Sequence, residues 1–166
     1  MRWVAQAATD ASRRATGSGP HHGAPSEATF SWAMNVVVSA IFWPGESRDC
    51  LVLWARRRFD LAVSVPILEE YGEIAHRLGR KIREVNPEPW LQWINREAKV
   101  YEPVPLGRRR SRDPDDDPLL GCALACGAKI IVSKDKDLLV LDKPFGVEIL
   151  PPRLFLARFA KTGIRR

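Results

Sequence analysis

The stretch DPDDDPLLGCALACGAKIIVSKDKDLL, residues 113–139, decides the fold. Four acids, Asp113, Asp115, Asp116 and Asp117, precede Pro118. Proline suits the first turn of a helix, because the N–H it lacks has no intrahelical partner there. Leu120, Ala123 and Leu124 carry the helix to a glycine stop at Gly127. Ala128 to Ser133 is then a β-branched apolar run of the buried-strand type, closed by Ser133-Lys-Asp135-Lys-Asp137. The acids therefore stand at a helix entrance and Asp135 just past a strand end. In an open parallel sheet those positions lie on one edge, where ligands bind.

Working outward, Leu138 to Leu141 reads as a helical turn and Val147 to Leu150 as a last strand, broken by Pro151-Pro152 before a terminal helix from Arg153 to Ala160. Upstream, Phe30 to Trp43 is rich in valine and aromatics and reads as strand up to the Pro44-Gly45 turn. Ser47 is placed to cap a helix running through Cys50, Leu51 and Trp54 to Arg56, Arg57 and Arg58. A short strand over Leu61 to Val65 follows. Pro66 then opens the clearest amphipathic helix, with Ile67, Tyr71, Ile74 and Leu78 on one face and Gly79 as its stop. Trp90 to Ala98 predicts another helix, Lys99 to Val104 an extended segment, and Arg108, Arg109, Arg110 and Arg112 a basic loop. Strands alternating with helices predict an α/β domain with a mainly parallel sheet over residues 29–161. Residues 1–28 lack apolar periodicity and read as a disordered tail, and 162–166 form a basic end.

The composition excludes several classes. With 166 residues and 45% hydrophobic content the chain holds enough apolar surface for a core, so neither a disulfide mini-protein nor a wholly disordered chain fits. Its longest apolar stretch, Val36 to Trp43 interrupted by Ser39, is far below the roughly 20 residues of a membrane span. The net charge of +6 points toward polyanions. Three cysteines, an odd number, without a secretory leader in the sequence predict a reducing, cytoplasmic setting.

Three carboxylates are candidates for joint chemistry: Asp116 at the helix entrance, Asp135 past the strand, and Glu70. At 100° per residue Glu70 borders the apolar face of its helix, whereas Glu69 and Glu73 point away. Clustered carboxylates repel unless a cation neutralises them, and oxygen ligands suit Mg²⁺ or Mn²⁺, which position water for phosphodiester hydrolysis. On spacing alone, Asp113 to Asp117 serve equally as helix caps paired with the arginines, Glu70 as a solvated helix residue, and Asp135 and Asp137 as turn formers.

Taken together, residues 113–139 resemble the PIN-domain nucleases, particularly the toxin components of toxin–antitoxin modules: an acidic cluster, a small-residue helix, a buried strand, then Thr or Ser-x-Asp and a Leu-Leu pair. NVVVSAIFWPG at 35–45 looks like the segment after the family's first strand, SVPILEEY at 64–71 like the helix bearing its second acid, and GVEIL at 146–150 like its last strand. The resemblance implies a three-layer α/β/α sandwich that binds Mg²⁺ or Mn²⁺ and cuts RNA. It assigns the second acid to Glu70, the third to Asp116 and the fourth to Asp135. Asp113 and Asp137 are auxiliary ligands, and Asn35 and Ser133 auxiliary site residues. It also implies a helix starting soon after Asn35, a cognate antitoxin and a homodimer. One position departs from the pattern. The family's first strand ends in Asp-Thr-Asn with the Asp a principal metal ligand, and aligning on Asn35 puts Ala33 there. Loss of one ligand weakens metal binding and raises the barrier, so a catalytically impaired module that binds RNA or antitoxin is the alternative.

The remaining features carry bland readings. Cys122 and Cys126 share a helix face without further zinc ligands and read as small hydrophobes. His21, His22 and His76 have no partners with catalytic spacing. Trp90 and Trp93 stack bases, pack a core or form an interface; Lys134 and Lys136, with the arginine groups, hold phosphates or are solvated surface.

Overall fold

The computed structural model describes residues 29–107, 117–141 and 143–162. The expected tail at 1–28, the basic loop with Asp113 and Asp116, and the extreme C-terminus lie outside the described residues.

Five strands, β1 (Thr29–Trp32), β2 (Asp60–Val63), β3 (Lys99–Val100), β4 (Ile130–Val132) and β5 (Glu148–Leu150), pair in the order β3-β2-β1-β4-β5, every neighbouring pair parallel. Parallel strands require crossovers, and helices supply them: α1 (Met34–Phe42), α2 (Glu46–Ala55), α3 (Val65–Lys81), α4 (Glu88–Glu97), α5 (Asp117–Cys126) and α6 (Lys136–Leu139), with α7 (Pro152–Thr162) closing the chain. The α/β reading with a parallel sheet holds.

The two faces of β1 fill differently. Phe30 and Trp32 point to the side covered by α2 and α7: Phe30 meets Phe59 at 5.2 Å and Phe155 at 5.0 Å, both edge-on, and Trp32 meets Trp54 at 6.2 Å. Such edge-to-face pairs add to area burial. Ser31 faces the other side, where its hydroxyl donates to the Ala62 carbonyl at 3.4 Å and neighbours the Cys122 thiol of α5.

The strand expected over Phe30 to Trp43 stops at Trp32, and a helix occupies Met34–Phe42. Val36, Val37, Val38, Ala40, Ile41 and Phe42 are all buried, so the helix is apolar nearly all round and shows no 3.6-residue alternation to betray it. The helix implied by the resemblance is the one found. α2 starts at Glu46 behind Gly45, whose φ of 140° few other residues adopt; Ser47 lies inside the first turn and makes no cap. β2 ends at Val63, and Val65 already belongs to α3. α3 continues through Gly79 to Lys81. That glycine is a point of close approach, since a Cβ there would stand 3.0 Å from Pro87 Cδ. Only Lys99–Val100 of the expected extended segment pairs in the sheet, although Tyr101 N still donates to the Val63 carbonyl at 2.8 Å. The helical turn expected over Leu138 to Leu141 falls over Lys136–Leu139.

Tyr71 of α3 ties helix to sheet: its buried hydroxyl donates to the Trp32 carbonyl, the last of β1. Burial, then the neighbouring Cys122 and Glu70, pushes its phenol well above its ordinary value, so it remains a donor. Tyr71→Phe leaves that carbonyl without its side-chain donor and is expected to cost about 1–2 kcal/mol, read as a lower urea midpoint at unchanged slope.

Candidate active site at the switch point of the sheet

The strand order reverses between β1 and β4, and the crevice beyond their carboxyl ends is where an open α/β sheet binds ligands. Each crossover helix returns antiparallel to its strand, so α1, α3, α5 and α6 all start at this edge and turn their positive dipole ends toward it.

Ala33 occupies the end of β1. Its N–H donates to the Val132 carbonyl at 2.9 Å, and it is the N-cap residue of α1, with no side-chain cap. The pairs Ser31↔Ala62 and Trp32↔Val132, carried on, set Ala33 between Ser64 and Ser133 in register on one face. Ala33 is 7% exposed, Ser64 and Ser133 0%. Ser133 Oγ accepts from Asp135 N at 3.0 Å. Ser64 Oγ is buried without a hydrogen-bond partner, an unusual state for a hydroxyl. A methyl group therefore stands at the switch point between two buried hydroxyls.

Asn35, one residue into the turn of α1, spans the crevice: its Oδ1 accepts from Lys134 N at 3.0 Å. One turn on, Ser39 Oγ accepts from Lys134 Nζ at 3.1 Å. Backbone and ammonium of Lys134 are thus both fastened to α1.

The acids divide by role. Asp135 caps α6, its Oδ1 accepting from Asp137 N at 2.9 Å, the turn-forming part that spacing left open. Asp137 is exposed in the first turn of α6. Glu70 is half-buried on α3, about 8 Å along the axis from the start of the helix at 1.5 Å per residue. Asp117, half-buried, opens α5 at the same edge. Asp113 and Asp116 are outside the described residues, so the edge is defined here by Glu70, Asp117, Asp135 and Asp137. Among the described residues no three acids, histidines or cysteines lie close enough together to hold a metal. Ala33 supplies no donor atom, and the Asn35 and Asp135 oxygens named above already serve backbone amides. The described residues do not form a coordination shell.

Beside Asp117 an open groove of about 460 Å³ runs between Pro66 at the start of α3, the loop from Pro103 to Gly107, and Pro118. Gly121 lets that loop lie on α5: Val104 N donates to the Gly121 carbonyl at 3.0 Å, and a Cβ would meet the Val104 oxygen at 2.5 Å.

Sequence reasoning missed Ser64, whose only trace was its position ahead of Val65-Pro66, and the Lys134–Ser39 contact, which no spacing reveals. The bland readings hold elsewhere. Cys122 is buried as a free thiol among the core residues, and burial pushes it up to about 12, so it stays protonated. Trp93 packs on Trp54 at 4.6 Å within the core, and His76 pairs with Glu88 at 2.8 Å.

A parallel α/β domain with acids on helix starts around its switch point is the architecture of a nuclease-like sandwich. A family model described as PIN domain matches residues 34–137, and the chain belongs to that family. No curated protein matches it. The match begins one residue after Ala33.

Asn35→Ala should free the Lys134 amide at a cost of about 1 kcal/mol. Hydrogen exchange is expected to quicken at Lys134 while the amides of β1 keep their protection; unchanged exchange at Lys134 contradicts the latch.

Proposed function

We propose that the protein is an endoribonuclease-type PIN protein, the toxin of a toxin–antitoxin pair, whose hydrolytic centre is impaired as the chain stands. The observation that carries this reading is the row Ser64–Ala33–Ser133. A carboxylate in place of the Ala33 methyl would accept from the orphaned Ser64 hydroxyl and face the switch point, so the surroundings suit an acid that the chain lacks.

Glu70, Asp116 and Asp135, with Asp113 and Asp137 beside them, are the proposed ligands of Mg²⁺ or Mn²⁺, the ion that in such sites polarises phosphate oxygen and activates water. Short of a complete shell, the chain's own groups still act. The four helix starts stabilise negative charge at the edge, and Asn35 fixes the loop that carries Asp135. The proline-lined groove beside Asp117 offers an apolar seat to a base or ribose of the RNA.

Ala33 also favours the second reading, a module that keeps RNA and antitoxin binding but does not cut. A cytoplasmic setting and a homodimer belong to the same proposal. Three buried free thiols suit a reducing compartment, and no described helix is long and apolar enough to cross a membrane.

The test is cleavage of a labelled RNA pool with Mn²⁺ or with EDTA. Ala33→Asp is expected to cut at least about 100-fold faster than the chain as given, by analogy with the loss on removing a metal-site group, and adding Asp116→Asn should abolish the gain. Equal rates for the chain and Ala33→Asp would remove the impairment; no cleavage by any version, with Mn²⁺ unbound, would remove the nuclease reading.

A further inference from the structure

The opposite edge of the sheet, at the amino ends of the strands, gathers cations. α2 ends at Ala55 and β2 begins at Asp60, while α4 ends at Glu97 and β3 begins at Lys99, so both connections meet at one corner of that edge. At about 3.3 Å per residue the corner lies about 13 Å along β2 from Ser64 and the crevice. It holds Arg56, Arg57, Arg58, Arg96 and Lys99 against Glu97 and Asp60. Both acids are engaged: Glu97 accepts from Arg96 at 3.1 Å and stands 3.6 Å from Arg57, and Asp60 pairs with Lys99 at 2.7 Å. Arg56 and Arg58 are exposed and make no ion pair among the described residues. The other acids of α2, Glu46 and Asp49, sit in its first turn, Asp49 about 10 Å along the axis from Arg56. Glu148 is three strands away from β2 and pairs with Arg158.

Two observations set these arginines apart from ordinary helix-end cations. The C-terminus of a helix carries about half a unit of negative charge, so α2 and α4 together balance about one cation. The second is the backbone of Arg57, which is left-handed at φ 56°. α5 ends in the same turn. There Gly127 N donates to the Leu124 carbonyl and Ala128 N to that of Ala123, just as Arg57 N donates to Trp54 and Arg58 N to Leu53 at the end of α2. At α5 the left-handed position is taken by glycine, at φ 69°, the residue that suits it. At α2 an arginine is held there in a conformation that L side chains disfavour, and such outliers mark places where the side chain is used. The turn fixes the backbone of three consecutive arginines on the surface.

We propose that this corner is a second RNA-docking surface, on the edge of the sheet opposite the crevice, where Arg56 and Arg58 pair with phosphates of a single strand that runs past the side of the domain. The guanidinium fork matches phosphate oxygens in pairs and stacks on bases, which a lysine ammonium does not do. The inference rests on the RNA reading above, but neither on metal nor on cleavage, because the corner contains no group of the candidate site.

The test is fluorescence anisotropy of a fluorescein-labelled single-stranded oligouridylate, titrated with the whole chain in EDTA across a range of salt. The chain as given should bind. Arg56→Gln with Arg58→Gln should weaken binding about tenfold and flatten the slope of log K against log salt by about 1.4, twice the value of about 0.7 for one phosphate contact on a single strand. Arg80→Gln with Arg83→Gln, an equal loss of exposed charge at the other end of α4, should leave the slope as it is. Arg57→Gly should raise the thermal midpoint, since glycine relieves the left-handed turn, and yet weaken RNA binding. An unchanged slope in the Arg56/Arg58 pair, or an equal fall in the Arg80/Arg83 pair, overturns the docking surface. So does a lower midpoint in Arg57→Gly with unchanged RNA affinity, which assigns the arginines to the fold. Polyglutamate that displaces the RNA at equal concentration of charge overturns RNA as the occupant in favour of an acidic protein. Binding that appears only with Mn²⁺ overturns the surface and leaves the RNA reading intact, whereas no binding with or without Mn²⁺ overturns both.

Discussion

Everything at the candidate site depends on the junction of β1 and β4. Parallel pairing of Trp32 with Val132 brings two chain ends that are 100 residues apart to the same height, and the reversal of strand order opens a crevice between the connections that leave them. The hydrogen bond from Lys134 N to Asn35 Oδ1 bridges the crevice beyond the last sheet bond. Tyr71 holds the last carbonyl of β1 from the helix side. These contacts set where Ala33, Ser133, Lys134 and Asp135 stand, and that placement decides which chemistry is open to the edge.

The junction also sets position 33 apart from the aromatic cluster of β1. Phe30 and Trp32 bury their rings on the α2 and α7 side, whereas Ala33 lies on the opposite side, in the row of Ser31 and Ser64. The aromatic cluster and the row of position 33 therefore lie on opposite faces of one strand, as the two-residue period of a strand allows, and both faces are buried. The side chain at position 33 therefore makes no contact in the aromatic cluster of Phe30, Trp32, Trp54 and Phe155. The described residues place at this edge the starts of α1, α3, α5 and α6, Lys134 held by Ser39, and the acids Glu70, Asp117, Asp135 and Asp137.

Much of this was legible in residues 113–139. The small-residue helix leading into a β-branched strand named the parallel sheet, and the Ser-x-Asp after it marked the edge. Glu70 could be singled out because α3 is strongly amphipathic. α1 was not legible from pattern, since a helix buried all round has the same apolar density as a strand, and only the likeness to a family placed a helix after Asn35. Ser64, Ser39 and the cap role of Asp135 were out of reach for a different reason. Ser64 and Ser39 depend on which residues the sheet register and the α1 surface bring together from distant parts of the chain, and Asp135 had two readings that spacing alone could not separate.

The central claim is that Ala33 turns the switch point away from cations. The most direct test is to titrate Mn²⁺ into the protein and count the free ion by electron paramagnetic resonance, for the chain as given and for Ala33→Asp. The account predicts that Ala33→Asp takes up about one equivalent and binds it roughly ten- to 100-fold more tightly than the chain as given, the span typical of losing a group that supports a metal. Uptake by the chain as given that equals that of Ala33→Asp would contradict it.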